Sequence, residues 1–361
     1  MHAPRPGRPG VSRPPAAWLA ACCFCWLAGV TAATEGPAAR VDLIRDVPTA
    51  GDLAAPATGQ TLYVLEESSG RVVAVDPFEP TKRWIAVEAP AAGGPVTPRA
   101  IGSIDTGILA ILCGDAGGWS IRAHRVQPGV TTPAADVVQS VPLPAVATAP
   151  GDAPPPAIGP DDGRPAIAVS PSREWLTVAG IAPPAAPVLR APIAGARIGT
   201  ISTRSCPQLA AGVRPVAITV SIDDEFVLFV QGQPAGGGDF VSFFRPPHPR
   251  RLLHVDAGVR RIHDAAFCRA DGTLWVVGGE PGSATTPEGL WRIDAVLRRG
   301  RQEAQATCVA RLDGAISLAC LSKGSIVVTH GRTSRIVSRI DTAGGGDGDG
   351  RAPDAPAGGK P

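Results

Sequence analysis

Arg261-Ile-His-Asp-Ala-Ala-Phe-Cys-Arg-Ala-Asp-Gly-Thr-Leu-Trp-Val-Val-Gly-Gly279, followed by Gly289-Leu-Trp-Arg-Ile-Asp294, decides the fold. Ile262–Phe267 is a first apolar run. Ala270-Asp271-Gly272 is a turn, because Asp-Gly supplies positive φ at little cost. Leu274–Val277 and Leu290–Ile293 are β-branched and aromatic runs of strand length. The stretch reads strand, tight turn, strand, loop, strand.

The same frame recurs along the chain. Aligned on the turn, Pro56, Ser103, Ser170, Ser221, Cys268 and Cys320 are equivalent. Six residues later an apolar residue opens each second strand: Leu62, Leu109, Leu176, Val227, Leu274 and Ile326. Third strands follow at Arg71–Asp76, Trp119–Arg125, Val188–Ile193, Phe240–Phe244, Leu290–Asp294 and Ile336–Asp341. Fourth strands follow at Arg83–Val87, Val137–Leu143, Arg197–Ser202, Leu252–Val255 and Thr307–Arg311. Four strands in every ~50 residues is the period of a propeller blade.

The sixth unit runs out after three strands, and Arg40–Arg45 alternates as a lone strand. Pairing the two removes an exposed edge and seals the ring. The expected fold is all-β: a six-bladed β-propeller of four-stranded antiparallel blades, closed by an N-terminal strand. The blades span 49–89, 98–143, 164–202, 214–257, 261–312, and 314–341 plus 40–45. Pro144–Gly163, with Ala153-Pro-Pro-Pro156, lacks ladder donors and reads as a surface insertion. Residues 33–342 form the propeller domain. Residues 343–361, rich in Gly, Asp and Pro with little to bury, read as a disordered tail.

Leu62-Tyr-Val-Leu-Glu-Glu-Ser-Ser-Gly-Arg-Val-Val-Ala-Val-Asp76 resembles a YVTN-type β-propeller repeat, a WD-repeat-like family. So does Arg164-Pro-Ala-Ile-Ala-Val-Ser-Pro171, followed by Trp175–Val178. The resemblance covers most of Arg40–Asp341. It implies architecture more than activity, because propellers host many functions.

Composition narrows the function classes. The 361 residues include 43 Gly and 39 Pro, which suits strands and turns more than helices. The net charge of +2 implies neither bulk nucleic-acid binding nor a strongly acidic partner. There is no Asn, which excludes N-glycosylation and any site requiring an Asn ligand. At the N-terminus, Arg5, Arg8 and Arg13 precede the apolar stretch Ala16–Val30, and Val30-Thr31-Ala32 fits a small-x-small cleavage signal. Residues 1–32 therefore read as a secretory signal peptide, giving a secreted or periplasmic protein with no membrane span after its removal. An uncleaved anchor and a lipoprotein box at Leu19-Ala20-Ala21-Cys22 rank below it.

Of eight cysteines, Cys22, Cys23 and Cys25 lie in the signal. Cys113, Cys206, Cys268, Cys308 and Cys320 show neither zinc nor c-type haem spacing. Small buried cysteines are the bland reading. Cys113–Cys206 and Cys268–Cys320 are the candidate disulfides, subject to Cα separation.

The chemistry-bearing residues are few. Arg99, Arg164, Arg214 and Arg261 each stand at the start of a first strand. In a propeller such positions converge near the channel mouth, where guanidiniums suit anionic groups; blade packing is the competing explanation. The long loops Ala179–Pro187, Gln231–Asp239 and Gly278–Glu288 should share that face. His263 and Asp264 are adjacent on a strand, so they point to opposite faces and cannot pair as a catalytic dyad. Asp347-Gly-Asp349-Gly350 lacks the remaining ligands of a calcium loop. Arg298-Arg299-Gly-Arg301 and Arg245–Arg251 read as solvated loops.

Gly-x-Ser-x-Gly, a phosphate-cradling loop and His-Glu-x-x-His are absent. No catalytic residue, metal or cofactor is assigned. The expected function is a binding or interaction scaffold whose partner, a protein or an anionic small molecule, docks at the channel mouth. Two alternatives stand beside it. One is an accessory propeller of a redox complex. The other is a lactonase-like hydrolase, which would have to draw on Glu66, Asp105, Asp264 or Asp313.

Overall fold

The computed structural model describes residues 40–44, 50–56, 61–91, 96–115, 118–144, 165–181, 188–202, 214–221, 226–231, 239–244, 253–256, 258–268, 272–294, 305–322, 324–331 and 337–341. The chain divides into Met1–Ala33 and Thr34–Pro361, and every described residue belongs to the second unit. The N-terminal segment 1–32, most of the Pro-rich insertion and the tail lie outside the described residues. Among the described residues there is no helix long and apolar enough to cross a membrane.

Strand β1 (Arg40–Ile44) precedes four strands that form one antiparallel sheet: β2 (Ala50–Ala54), β3 (Leu62–Glu66), β4 (Val72–Val75) and β5 (Arg83–Val87). The second sheet comprises β6 (Thr97–Asp105), β7 (Ile108–Asp115), β8 (Gly118–Arg125) and β9 (Gln139–Pro142). The third comprises β10 (Ala166–Val169), β11 (Trp175–Ala179), β12 (Leu189–Ala194) and β13 (Arg197–Ile198). The fourth comprises β14 (Arg214–Val220), β15 (Phe226–Gln231), β16 (Asp239–Phe244) and β17 (Leu253–Asp256). The fifth comprises β18 (Asp264–Phe267), β19 (Leu274–Gly278), β20 (Gly289–Asp294) and β21 (Gln305–Arg311). In the last sheet β22 (Ala315–Cys320), β23 (Ile326–His330) and β24 (Val337–Asp341) are joined at the edge by β1, with Arg40 opposite Asp341 and Ile44 opposite Val337.

Each sheet is a meander with its first strand innermost. The first strands touch in the order β2, β6, β10, β14, β18, β22, and β22 touches β2 again. Strand alternation explains how one sheet serves two neighbours. On β3, Leu62 and Val64 pack with Ala319, Leu321 and Val327 of the last sheet. Tyr63 and Leu65 point the other way, into a cluster with Ile101, Leu109 and Ile111 of the second sheet. Such strands have no solvent face, so they read as unbroken apolar runs rather than alternating ones. Each fully buried large side chain contributes about 1.5–3 kcal/mol.

Two fourth strands are shorter than the sequence spacing predicts. Of Val137–Leu143 the regular ladder covers Gln139–Pro142, with Val138 N–H and Leu143 N–H still bonding the Ala123 and Trp119 carbonyls of β8; just before it, Asp136 N–H bonds the Pro133 carbonyl and Val137 N–H that of Ala135, closing a turn. Arg197–Ser202 pairs over Arg197–Ile198 alone. The next position faces Pro192, which accepts from Gly199 N–H at 2.7 Å but has no N–H to return. Ser202 rejoins as an isolated bridge to Arg190.

Candidate functional site

The first strands surround a central cavity of about 140 Å³. Its wall is mostly small and β-branched side chains, and among the described residues the carboxyl-bearing ones lining it are Asp52 on β2 and Asp264 on β18. These two are equivalent in the repeat, each four residues before the aligned positions Pro56 and Cys268.

Both carboxylates reach across to the next sheet. Asp52 Oδ2 accepts from Ile101 N–H of β6 at 2.8 Å. Asp264 Oδ2 accepts from Leu318 N–H of β22 at 2.9 Å and from Ser317 Oγ at 2.7 Å. Ser317 Oγ also lies 3.3 Å from Asp52 Oδ1. Thr219 Oγ1 on β14 plays the same part, accepting from Phe267 N–H of β18 at 3.2 Å. A first strand has no ladder partner on its inner edge, so its N–H groups must bond elsewhere. These side chains supply that bond. Sequence reading does not single out Asp52, Thr219 or Ser317; the shared offset of Asp52 and Asp264 is the signal that could have found the pair.

The other acids named for a hydrolase do not converge on this cavity. Glu66 is buried and bound to Arg71 and to Ser69 Oγ. Asp105 forms an ion pair of 2.8 Å with Arg173. Asp313 uses its main-chain carbonyl toward His330 Nδ1 at 3.0 Å. His263 falls just before β18 and is exposed, whereas Asp264 is half-buried.

Of the four arginines, Arg99 and Arg261 have described side chains, and both are exposed. Arg99 occupies the bulge between Pro98 and Ala100 in β6. A bulge re-aims the residue it holds, here off the ladder. Arg261 has φ of 49°, a left-handed conformation that costs any residue with a Cβ free energy. Arg214 opens β14 opposite Gln231, and Arg164 lies outside the described residues. Neither Arg99 nor Arg261 lines the central cavity.

The loop 279–288 stands against Arg261. Gly279 N–H donates to the Arg260 carbonyl at 2.6 Å, and a Cβ on Gly278 would come within 2.9 Å of the Arg261 carbonyl. Glu288 anchors the far end through Gly314 N–H at 3.0 Å. The counterpart loops of the third and fourth sheets fall mostly outside the described residues.

Cys113 is buried in the cluster between the first and second sheets. Cys268 and Cys320 share one apolar cluster between the fifth and last sheets. Cys206, the proposed partner of Cys113, lies outside the described residues.

No protein-family model matches the chain. No curated protein matches it either. Solved structures do. The major allergen Mala s 1 of Malassezia sympodialis superposes with a TM-score of 0.54 at 14% identity, over 84% of this chain and 96% of that one. A luciferin-regenerating enzyme gives 0.52 at 12% identity, over 85% and 96%. A putative gluconolactonase gives 0.51 at 10% identity, over 86% and 94%. At such identities the likeness is one of fold. Cyclic packing of four-stranded antiparallel sheets about a central cavity makes this chain a β-propeller.

Proposed function

We propose that this chain is a binding scaffold: a six-bladed β-propeller, closed by β1 at the edge of the last blade, that is exported to a secreted or periplasmic location. Its partner is a protein or an anionic small molecule, held on the face that carries Arg99, Arg164, Arg214 and Arg261. The observation that carries this reading is the use of Asp52 and Asp264. Each spends its carboxylate on the main-chain N–H of the next sheet, which makes the channel lining a cohesive element. The exposed guanidiniums of Arg99 and Arg261 are left as the groups suited to recognition. The loop 279–288 beside Arg261, tied at its ends to Arg260 and Gly314, supports the same placement.

The test has two arms. The purified mature protein, with and without alanine at Arg99, Arg164, Arg214 and Arg261, is passed over immobilised polyanions and candidate partner extracts. Retention that vanishes in the quadruple variant while melting is unchanged is the expected result. The second arm measures bound calcium and lactone hydrolysis. Stoichiometric calcium with turnover abolished by Asp264→Asn would overturn the scaffold reading in favour of a hydrolase.

A further inference from the structure

A second cavity of about 220 Å³ lies between the first and second sheets, away from the central channel. Val87, Pro90, Val96, Pro98 and Ile111 make most of its wall apolar. Its cover is well fixed: Thr132 N–H bonds the Ala86 carbonyl and Glu88 N–H bonds the Thr132 carbonyl, tying the β8–β9 connection to β5.

Two polar side chains enter it from one strand. Arg122 and His124 are two apart on β8, opposite Ile111 and Leu109, so both project toward the first sheet. His124 is 3% exposed, and its Nδ1 has no hydrogen-bond partner. Arg122 Nε is buried and likewise lacks one. Burial, reinforced by the Arg122 charge, pushes the His124 imidazole below its ordinary 6.5 and keeps it neutral. The Asp136 main chain takes a hydrogen bond from the ring. With that proton on Nε2, Nδ1 is left as an acceptor. The cleft thus holds one donor, the buried Nε–H of the half-exposed Arg122 guanidinium, and one neutral acceptor, each without a partner and costly to leave unmet.

We propose that this cleft binds a small aromatic or branched hydroxycarboxylate, its carboxylate on Arg122, its hydroxyl donating to His124 Nδ1, and its apolar body among Val87, Val96 and Ile111. Size agrees: a dry cavity of about 150 Å³ takes one benzene ring, and this one is larger. Glu88, exposed at the rim, disfavours dianions.

Mandelate is the probe, titrated calorimetrically into the mature protein. Phenylacetate lacks the hydroxyl and benzyl alcohol lacks the carboxylate. Saturable mandelate binding is expected, weaker by about tenfold for either analogue. Arg122→Gln should abolish it. Ala134→Phe, which fills the cleft and leaves both polar residues in place, should do the same and decides the matter if the first variant misfolds. Alanine at Arg99 and Arg261 should leave it intact, which separates this site from the scaffold face. Absence of saturable mandelate binding, or binding indifferent to Arg122→Gln and Ala134→Phe, would overturn the proposal and leave the cleft to water.

Discussion

Asp264 on β18 holds Ser317 on β22 through a 2.7 Å hydrogen bond and, with the same oxygen, the Leu318 N–H at 2.9 Å. One carboxylate therefore fastens the fifth sheet to the last. A catalytic acid would be expected to face the cavity with its lone pairs toward a substrate. This one is turned against the neighbouring backbone.

Asp264→Ala should destabilise the protein by about 1–3 kcal/mol, because it leaves Leu318 N–H unmet in a tight interior and Ser317 Oγ only its longer bond to Asp52. Asp264→Asn keeps one acceptor oxygen and should lose less. Asp52→Ala, which strands Ile101 N–H, should behave like Asp264→Ala. The midpoint of urea unfolding reads all three. A substitution at Asp264 that leaves the midpoint unchanged would remove the clasp from the account of stability.

These clasps mark the border of what sequence shows. The second-strand starts and the lone strand at Arg40–Arg45 are local patterns, and each has its counterpart among the strands, whereas the turn at Ala270–Asp271 lies outside the described residues. A strand's period can be read along the chain because the pleat imposes it. The partners of Asp264 on another sheet, Ser317 and Leu318, lie 53 and 54 positions away, and nothing local encodes that distance. Arg122 and His124 were hidden for a related reason. They sit in a strand whose alternation looks like ordinary packing, and only the missing hydrogen-bond partners set them apart.

The junction of Arg261 with the loop 279–288 depends on two glycines. Gly279 has φ of 115°, and a Cβ there would overlap the Pro287 carbonyl. Gly278 packs on the Arg260–Ile262 backbone, where a Cβ would be 3.0 Å from Ile262 Cα. Gly279→Ala should therefore cost about 1–3 kcal/mol through backbone strain, and it should weaken binding on the arginine face by displacing the loop. Thermal melting and a binding isotherm on the same variant separate the two effects.

Arg261 itself sits in the left-handed region with φ of 49°. Arg261→Gly should raise stability by about 1 kcal/mol, since glycine occupies that conformation without a Cβ penalty. The same change should reduce retention on polyanions. Gain of stability with loss of binding is the signature of a strained residue kept for recognition. A variant that gains stability and binds unchanged would show that Arg261 serves neither purpose.

His124 gives the pH dependence its sign. Burial first, then the charge of Arg122, lowers its folded value below 6.5, while the Asp136 carbonyl and carboxylate oppose the shift only in part. Below 6.5 the unfolded chain takes up a proton that the folded chain refuses, so stability falls as pH drops from 6.5 toward the lower folded value. Above 6.5 both forms are neutral and the contribution is complete. His124→Gln should remove this portion of the acid slope while leaving the slope from carboxylates. Urea midpoints at about pH 7.5 and pH 5.5, which bracket the ordinary histidine range, measure it. Mandelate should restore part of the lost stability at the lower pH only if Arg122 is present, because a ligand on the guanidinium binds the folded state alone.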